Sequence, residues 1–159
     1  MDFDQAIDII IGLEGGLVDN PKDSGGVTKY GISLAAYPNL GRDGIINLTE
    51  DQAKKIYYDD YWMKLSIYEF PESLRLCLLD SAINQGVSGA IKCLQRALRV
   101  NDDGIIGPHT ITAAKAISAD ELVVHFMNER LFEYISDRGW QEFGRGWAAR
   151  LFKITLKAG

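Results

Sequence analysis

Glu14–Ile32, EGGLVDNPKDSGGVTKYGI, decides how the rest of the chain is read. Before it, Phe3, Ile7, Ile10, Ile11 and Leu13 recur among polar residues at the spacing of a helix that buries one face. That run stops at Glu14-Gly15-Gly16; Asp23, Gly25-Gly26, Thr28 and Tyr30-Gly31 follow. The order places one carboxylate at the C-terminal edge of a helix, with a second carboxylate and a hydroxyl on a glycine-rich loop. An acid held partly out of water, beside groups that can hold a water molecule, suits glycoside hydrolysis. The same letters also suit a plain helix stop with Glu14 at the surface. Asp23 then serves as an Asx-turn residue, and Thr28 as a strand residue with its hydroxyl turned to the backbone.

Outward from this stretch the chain reads as helices. Residues 3 to 13 form the first, with Glu14 on or just past its last turn. Ser33 is placed to cap a brief helix through Leu34 and Tyr37, stopped before Pro38, and residues 39 to 48 read as a loop. Thr49 with Gln52 makes a capping box for a helix to about Trp62, which carries Tyr57, Tyr58, Tyr61 and Trp62. Pro71 opens a helix with an apolar stripe of Leu74, Cys77, Leu78 and Ala82, broken at Gly86. Asp80 and Asn84 share one face of it, either tying the core together or lining a cleft. Further helices are expected over Ser88–Val100 and from Pro108 to about Ile117. A third runs from a Ser118/Glu121 capping box through Leu122, Phe126, Leu131 and Ile135 to Gly139. The last spans Trp140–Leu156, with Phe143, Trp147, Leu151, Phe152 and Ile154 as its packing residues.

Composition narrows the class. The 159 residues, 47% hydrophobic and 25% charged, suit one globular domain with a sizeable core. No apolar run reaches the ~20 residues of a bilayer span, and the acidic start MDFDQ resembles no cleavable export signal. Synthesis in the cytoplasm is expected. Cys77 and Cys93 show no metal-like spacing with His109 or His125, so they read as small buried hydrophobes, and no metal or cofactor is expected. The net charge of −5 argues against nucleic acid. It is uneven: residues 138–159 carry Arg138, Arg145, Arg150, Lys153 and Lys157 against Glu142, so +4, leaving −9 for the other 137. Such a helix is either a solvated face or a weak attraction to an anionic wall or membrane.

Several motifs, in order, resemble glycoside hydrolase family 108, lysozyme-like N-acetylmuramidases often found as phage endolysins. They are Glu14-Gly15-Gly16, Asp23-x-Gly25-Gly26-x-Thr28, Tyr30-Gly31-Ile32, Asp60-Tyr61-Trp62 and Asn84-x-Gly86. Leu94-Gln95-x-Ala97-Leu98, Asp103-Gly104-Ile105-Ile106-Gly107-Pro108-x-Thr110 and Phe143-Gly144-x-Gly146-Trp147 complete the series. Asn20, Ser24 and Lys29 depart from the family pattern, and none of them is Glu14, Asp23 or Thr28.

The resemblance implies a mainly α, lysozyme-like domain with a small β-hairpin or irregular loop after the first helix. It would span residues 1–159, with 1–85 the catalytic part. Residues 86–159 resemble a peptidoglycan-binding module that no linker separates. It also implies cleavage of the β-1,4 bond between N-acetylmuramic acid and N-acetylglucosamine. Glu14 would be the general acid, and Asp23 and Thr28 would position a water for inversion. Tyr30, Tyr61 and Asn84 are the candidate substrate contacts. A monomer acting on bacterial peptidoglycan is expected, reaching the wall after release by a holin. The alternatives are a lytic transglycosylase, which needs one carboxyl group only, and a wall-binding or phage structural module with an inert Glu14.

Overall fold

Ala6, Ile7 and Ile10 are buried along one side of the first helix, α1 (Phe3–Glu14), so the periodicity read from the sequence is the periodicity of packing. The computed structural model describes residues 1–14, 16–18 and 26–159, and Glu14 by its backbone alone. Packing gathers the chain into two units, Phe3–Asp60 and Tyr61–Gly159 together with Met1–Asp2. Among the described residues there are eight α-helices and one two-stranded antiparallel hairpin.

In the first unit the hairpin pairs β1 (Thr28–Lys29) with β2 (Ile32–Ser33), in the register Thr28 to Ser33 and Lys29 to Ile32. Val18 bridges to Thr28 through two backbone hydrogen bonds of 2.8 Å. The following segment differs from the sequence expectation. Residues 34–36 form turns instead of a helix. A 3₁₀ turn (Pro38–Leu40) then leads into a short helix, α2 (Gly41–Ile46), where a loop was expected. Gly41 and Gly44 hide α2, because glycine is a poor helix former. Tertiary contact overrides that: Ile45 is fully buried, and the Lys29 ammonium donates to the Ile46 carbonyl at 2.8 Å. The next helix, α3 (Glu50–Asp60), has the expected capping box. Gln52 N–H donates to Thr49 Oγ1 at 3.2 Å, and Thr49 N–H donates to Gln52 Oε1 at 2.9 Å. Lys54 on α3 reaches Asp8 on α1 at 2.7 Å and Glu50 at 3.0 Å, and hydrogen bonds to these two carboxylates hold its ammonium well above its usual pKa.

The second unit opens with two 3₁₀ turns, Trp62–Leu65 and Ile67–Glu69, which the sequence reading did not anticipate. Trp62 is buried, with its ring edge-on to Tyr68 at 5.8 Å, and is a core residue. The centre of this unit is α4 (Glu72–Gln85), buried on nearly every side from Leu74 to Ala82. Around it pack α5 (Val87–Ala97), α7 (Ala119–Ser136) and α8 (Trp140–Ala158). A helix enclosed in this way has little amphipathicity and reads from sequence as uniformly apolar.

One buried carboxylate joins three of these helices. Asp80 on α4 accepts from Arg130 of α7 at 2.8 Å and from Arg150 Nε of α8 at 2.9 Å, while Arg130 also donates to Tyr134 Oη at 3.2 Å. Asp80 and Arg130 are both fully buried. Of the two readings open for Asp80, tying the core is the one observed.

A second polar hub explains the motif between α5 and α6 (Pro108–Lys115). The buried Gln95 amide donates to Asp103 Oδ1, the Ile105 carbonyl and Thr110 Oγ1, and its Oε1 accepts from Gly104 N–H at 2.8 Å. The Gln95 bond holds the Asp103 carboxyl below its ordinary pKa. Gly104 has φ 78°, and a Cβ there would stand 3.0 Å from Ser88 Oγ, so no other residue fits without strain. The expected packing list for α7 and α8 is corrected at four places. Tyr134 is buried on α7, whereas Ile135, Phe143 and Phe152 are exposed, because the two helices face α4 with the side that carries Arg130, Leu151 and Ile154.

Two outcomes are expected. Asp80→Ala takes away the carboxylate that the fully buried Arg130 guanidinium meets and destabilises the fold by about 3–5 kcal/mol, readable by urea unfolding. The Cys77 and Cys93 thiols are free and buried, and burial pushes their pKa values up to about 12 and about 11. A thiol reagent at about pH 8 therefore labels neither cysteine in the native protein and both after denaturation.

Candidate active site

Glu14 is the last residue of α1, so the expected acid stands at the carbonyl end of a helix. Its side chain and the whole of Asp23 lie outside the described residues. The structure places Thr28 and Tyr30 together on the hairpin. Thr28 opens β1, and its hydroxyl donates to the Gly26 carbonyl over a long 3.4 Å. A bond of that length is weak, and among the described residues no donor takes the lone pairs of the hydroxyl.

Tyr30 and Gly31 are the two turn residues between β1 and β2, with φ 52° and 80°. Left-handed conformation at both centres is what a two-residue hairpin with the native strand twist requires. Glycine takes it freely, but a bulky tyrosine does so against its preference. Tyr30 is held there from outside. The buried Tyr57 of α3 donates its hydroxyl to the Tyr30 carbonyl at 2.9 Å, and the Lys29 ammonium lies 5.5 Å from the centre of the Tyr30 ring. The Tyr57 ring is part of the core, and its hydroxyl has this second task.

Tyr61 and Asn84 belong to the second unit. Tyr61 is half-buried at the start of the first 3₁₀ turn. Asn84 is exposed in the last turn of α4, where its amide donates to the Asp80 carbonyl at 2.7 Å. It lines a pocket of about 380 Å³ with Gln85, Glu133, Tyr134, Asp137 and Trp147. No spacing rule reaches these partners, since α7 and α8 bring them to α4 across some fifty residues of chain.

A helix closing on a glutamate, followed by a glycine-rich hairpin and then a helical unit, is the layout of a lysozyme-like glycoside hydrolase. The comparisons narrow the class. Residues 7–86 match the glycosyl hydrolase 108 family, and residues 89–152 match a predicted peptidoglycan domain. The solved structure of Brucella abortus SagA is 33% identical and superposes with a TM-score of 0.90, covering 98% of this chain and 92% of that one. No curated protein matches the chain. The chain belongs to glycosyl hydrolase family 108, and is a lysozyme-like muramidase that carries a peptidoglycan-binding domain.

The family junction and the packing junction do not coincide. α4 lies within the segment matched to the hydrolase, yet it packs as the central helix of the C-terminal unit.

Removing the Tyr57 hydroxyl tests the support of the hairpin turn. Tyr57→Phe is expected to cost about 1 kcal/mol of stability by thermal unfolding, and to lower turnover on cell walls more than that loss alone explains.

Proposed function

We propose that Glu14 is the general acid in hydrolysis of the β-1,4 bond between N-acetylmuramic acid and N-acetylglucosamine. The observation that carries this reading is the place of Glu14 as the closing residue of α1 in a family 108 chain. Backbone carbonyls at a helix C-terminus disfavour a nearby anion, which raises the pKa of a carboxylic acid and keeps it protonated closer to neutral pH.

Asp23 and Thr28 hold the attacking water on the opposite face of the sugar, and the anomeric centre inverts. The weakly bonded Thr28 hydroxyl is suited to that task. Tyr30, Tyr61 and Asn84 contact the glycan. The outer face of α8, with exposed Phe152 and Leu156 beside Lys153 and Lys157, suits weak attraction to an anionic wall or membrane.

The test uses washed sacculi with wild type, Glu14→Gln and Asp23→Asn, and mass spectrometry of the soluble products. Wild type is expected to release reducing muramic-acid ends and Glu14→Gln to be slower by at least about 10²-fold. Nuclear magnetic resonance of the first product shows the α-anomer if inversion is right. Anhydro ends, or an Asp23→Asn variant with full activity, would sink the hydrolytic pair in favour of transglycosylation. Undiminished release by Glu14→Gln would remove Glu14 from its role.

A further inference from the structure

Trp147 stands half-buried on α8 in a setting that fixes its ring and leaves its polar edge unused. The Tyr134 ring lies 5.1 Å away at 33° and the Phe143 ring 6.0 Å away at 35°. Gly139 makes room for it, since a Cβ there would come within 3.0 Å of the indole. Gln85 and Glu133, which line the same pocket, belong to a bonded polar chain. Ser81 donates to Gln85 Oε1 at 2.8 Å, Gln85 donates to Glu133, and Arg96 pairs with Glu133 and neutralises it.

Three groups around this pocket stay without partners among the described residues: the Trp147 indole N–H, Asn84 Oδ1 and the second carboxylate oxygen of Asp137. Asn84 uses only its amide nitrogen, toward Asp80, and Asp137 uses only Oδ1, which accepts from Gly139 N–H at 2.7 Å.

We propose that this pocket binds the N-acetylated glycan strand of peptidoglycan, with Trp147 as its stacking platform. This rests on the reading of peptidoglycan as substrate. An aromatic face takes the C–H face of a pyranose, the indole N–H donates to an acetamido carbonyl or hydroxyl, and the two free acceptors take hydroxyl or acetamido protons. A cavity of about 380 Å³ has room for about one sugar residue and not for a long segment. The ammonium group of a stem peptide is the less suited occupant, because Glu133 is already paired and a single carboxylate, Asp137, remains to meet a cation.

The site also crosses the family junction. Asn84 and Gln85 come from the segment matched to the hydrolase, and Glu133, Tyr134, Asp137 and Trp147 from the segment matched to the peptidoglycan domain. Wall binding by the C-terminal segment is therefore complete only with the last turn of α4 present.

The experiment uses the full chain carrying Glu14→Gln, so that nothing is consumed. Binding is read by sedimentation with sacculi and by tryptophan fluorescence during titration with a β-1,4-linked N-acetylglucosamine hexamer. Trp147→Ala is expected to weaken both about tenfold and Asp137→Ala severalfold, with unchanged circular dichroism. If Trp147→Ala fails to fold, Asp137→Ala on its exposed position decides. Binding unchanged in a folded Trp147→Ala or in Asp137→Ala overturns the site, as does competition by lysine amide but not by the hexamer. A Glu14→Gln protein that still hydrolyses sacculi yet loses binding with Trp147→Ala would remove the proposed acid and leave this site standing. An inactive Glu14→Gln whose binding ignores Trp147 would do the reverse.

Discussion

The Asp80 carboxylate is the constraint on which the C-terminal unit depends. It is fully buried and accepts from two guanidinium groups on two other helices, the buried Arg130 and the half-buried Arg150, so α4, α7 and α8 cannot slide past one another without stranding a buried charge. Apolar packing of Leu74, Leu78, Phe126 and Ile154 supplies the drive to collapse, but it is tolerant of register. The ion pairs are not. They fix the level at which α7 and α8 meet α4, and with it the position of Tyr134 and Trp147 beside Asn84.

The same arrangement explains how a chain that matches two families behaves as a structure. α4 supplies the family 108 motif at Asn84 and Gly86, and it is also the helix around which the peptidoglycan-domain segment is built. Gly86 alone separates α4 from α5, too little chain for independent movement of the two helices. Sequence families here mark common ancestry of segments, while packing marks what folds together.

In the N-terminal unit the comparable device is smaller. A two-residue turn needs left-handed backbone at both centres, and a tyrosine occupies one of them. Strain of this kind persists where neighbouring contacts over-determine it, here the Tyr57 hydroxyl on the Tyr30 carbonyl. The helix that ends at Glu14 is tied to α3 through Asp8 and Lys54, and α3 carries Tyr57, so the turn of the hairpin and the middle of α1 are referred to the same helix.

Local chemistry was legible in the sequence wherever one stretch of chain decides it. The periodicity of α1, the Thr49/Gln52 capping box and the Ser118 cap each depend on neighbours within a few residues, and each is where the pattern put it. The ordered motifs likewise carried the family. What the sequence could not decide was anything settled by residues far apart. α2 forms against its glycines because Ile45 is buried and Lys29 meets its last carbonyl. Asp80 is a core tie instead of a cleft residue because Arg130 and Arg150 reach it across 50 and 70 residues. Phe143 and Phe152 are exposed although their spacing fits a packing face, since the side that α8 turns inward is chosen by that ion pair. Periodicity names the faces of a helix; only the tertiary contacts select which face is buried.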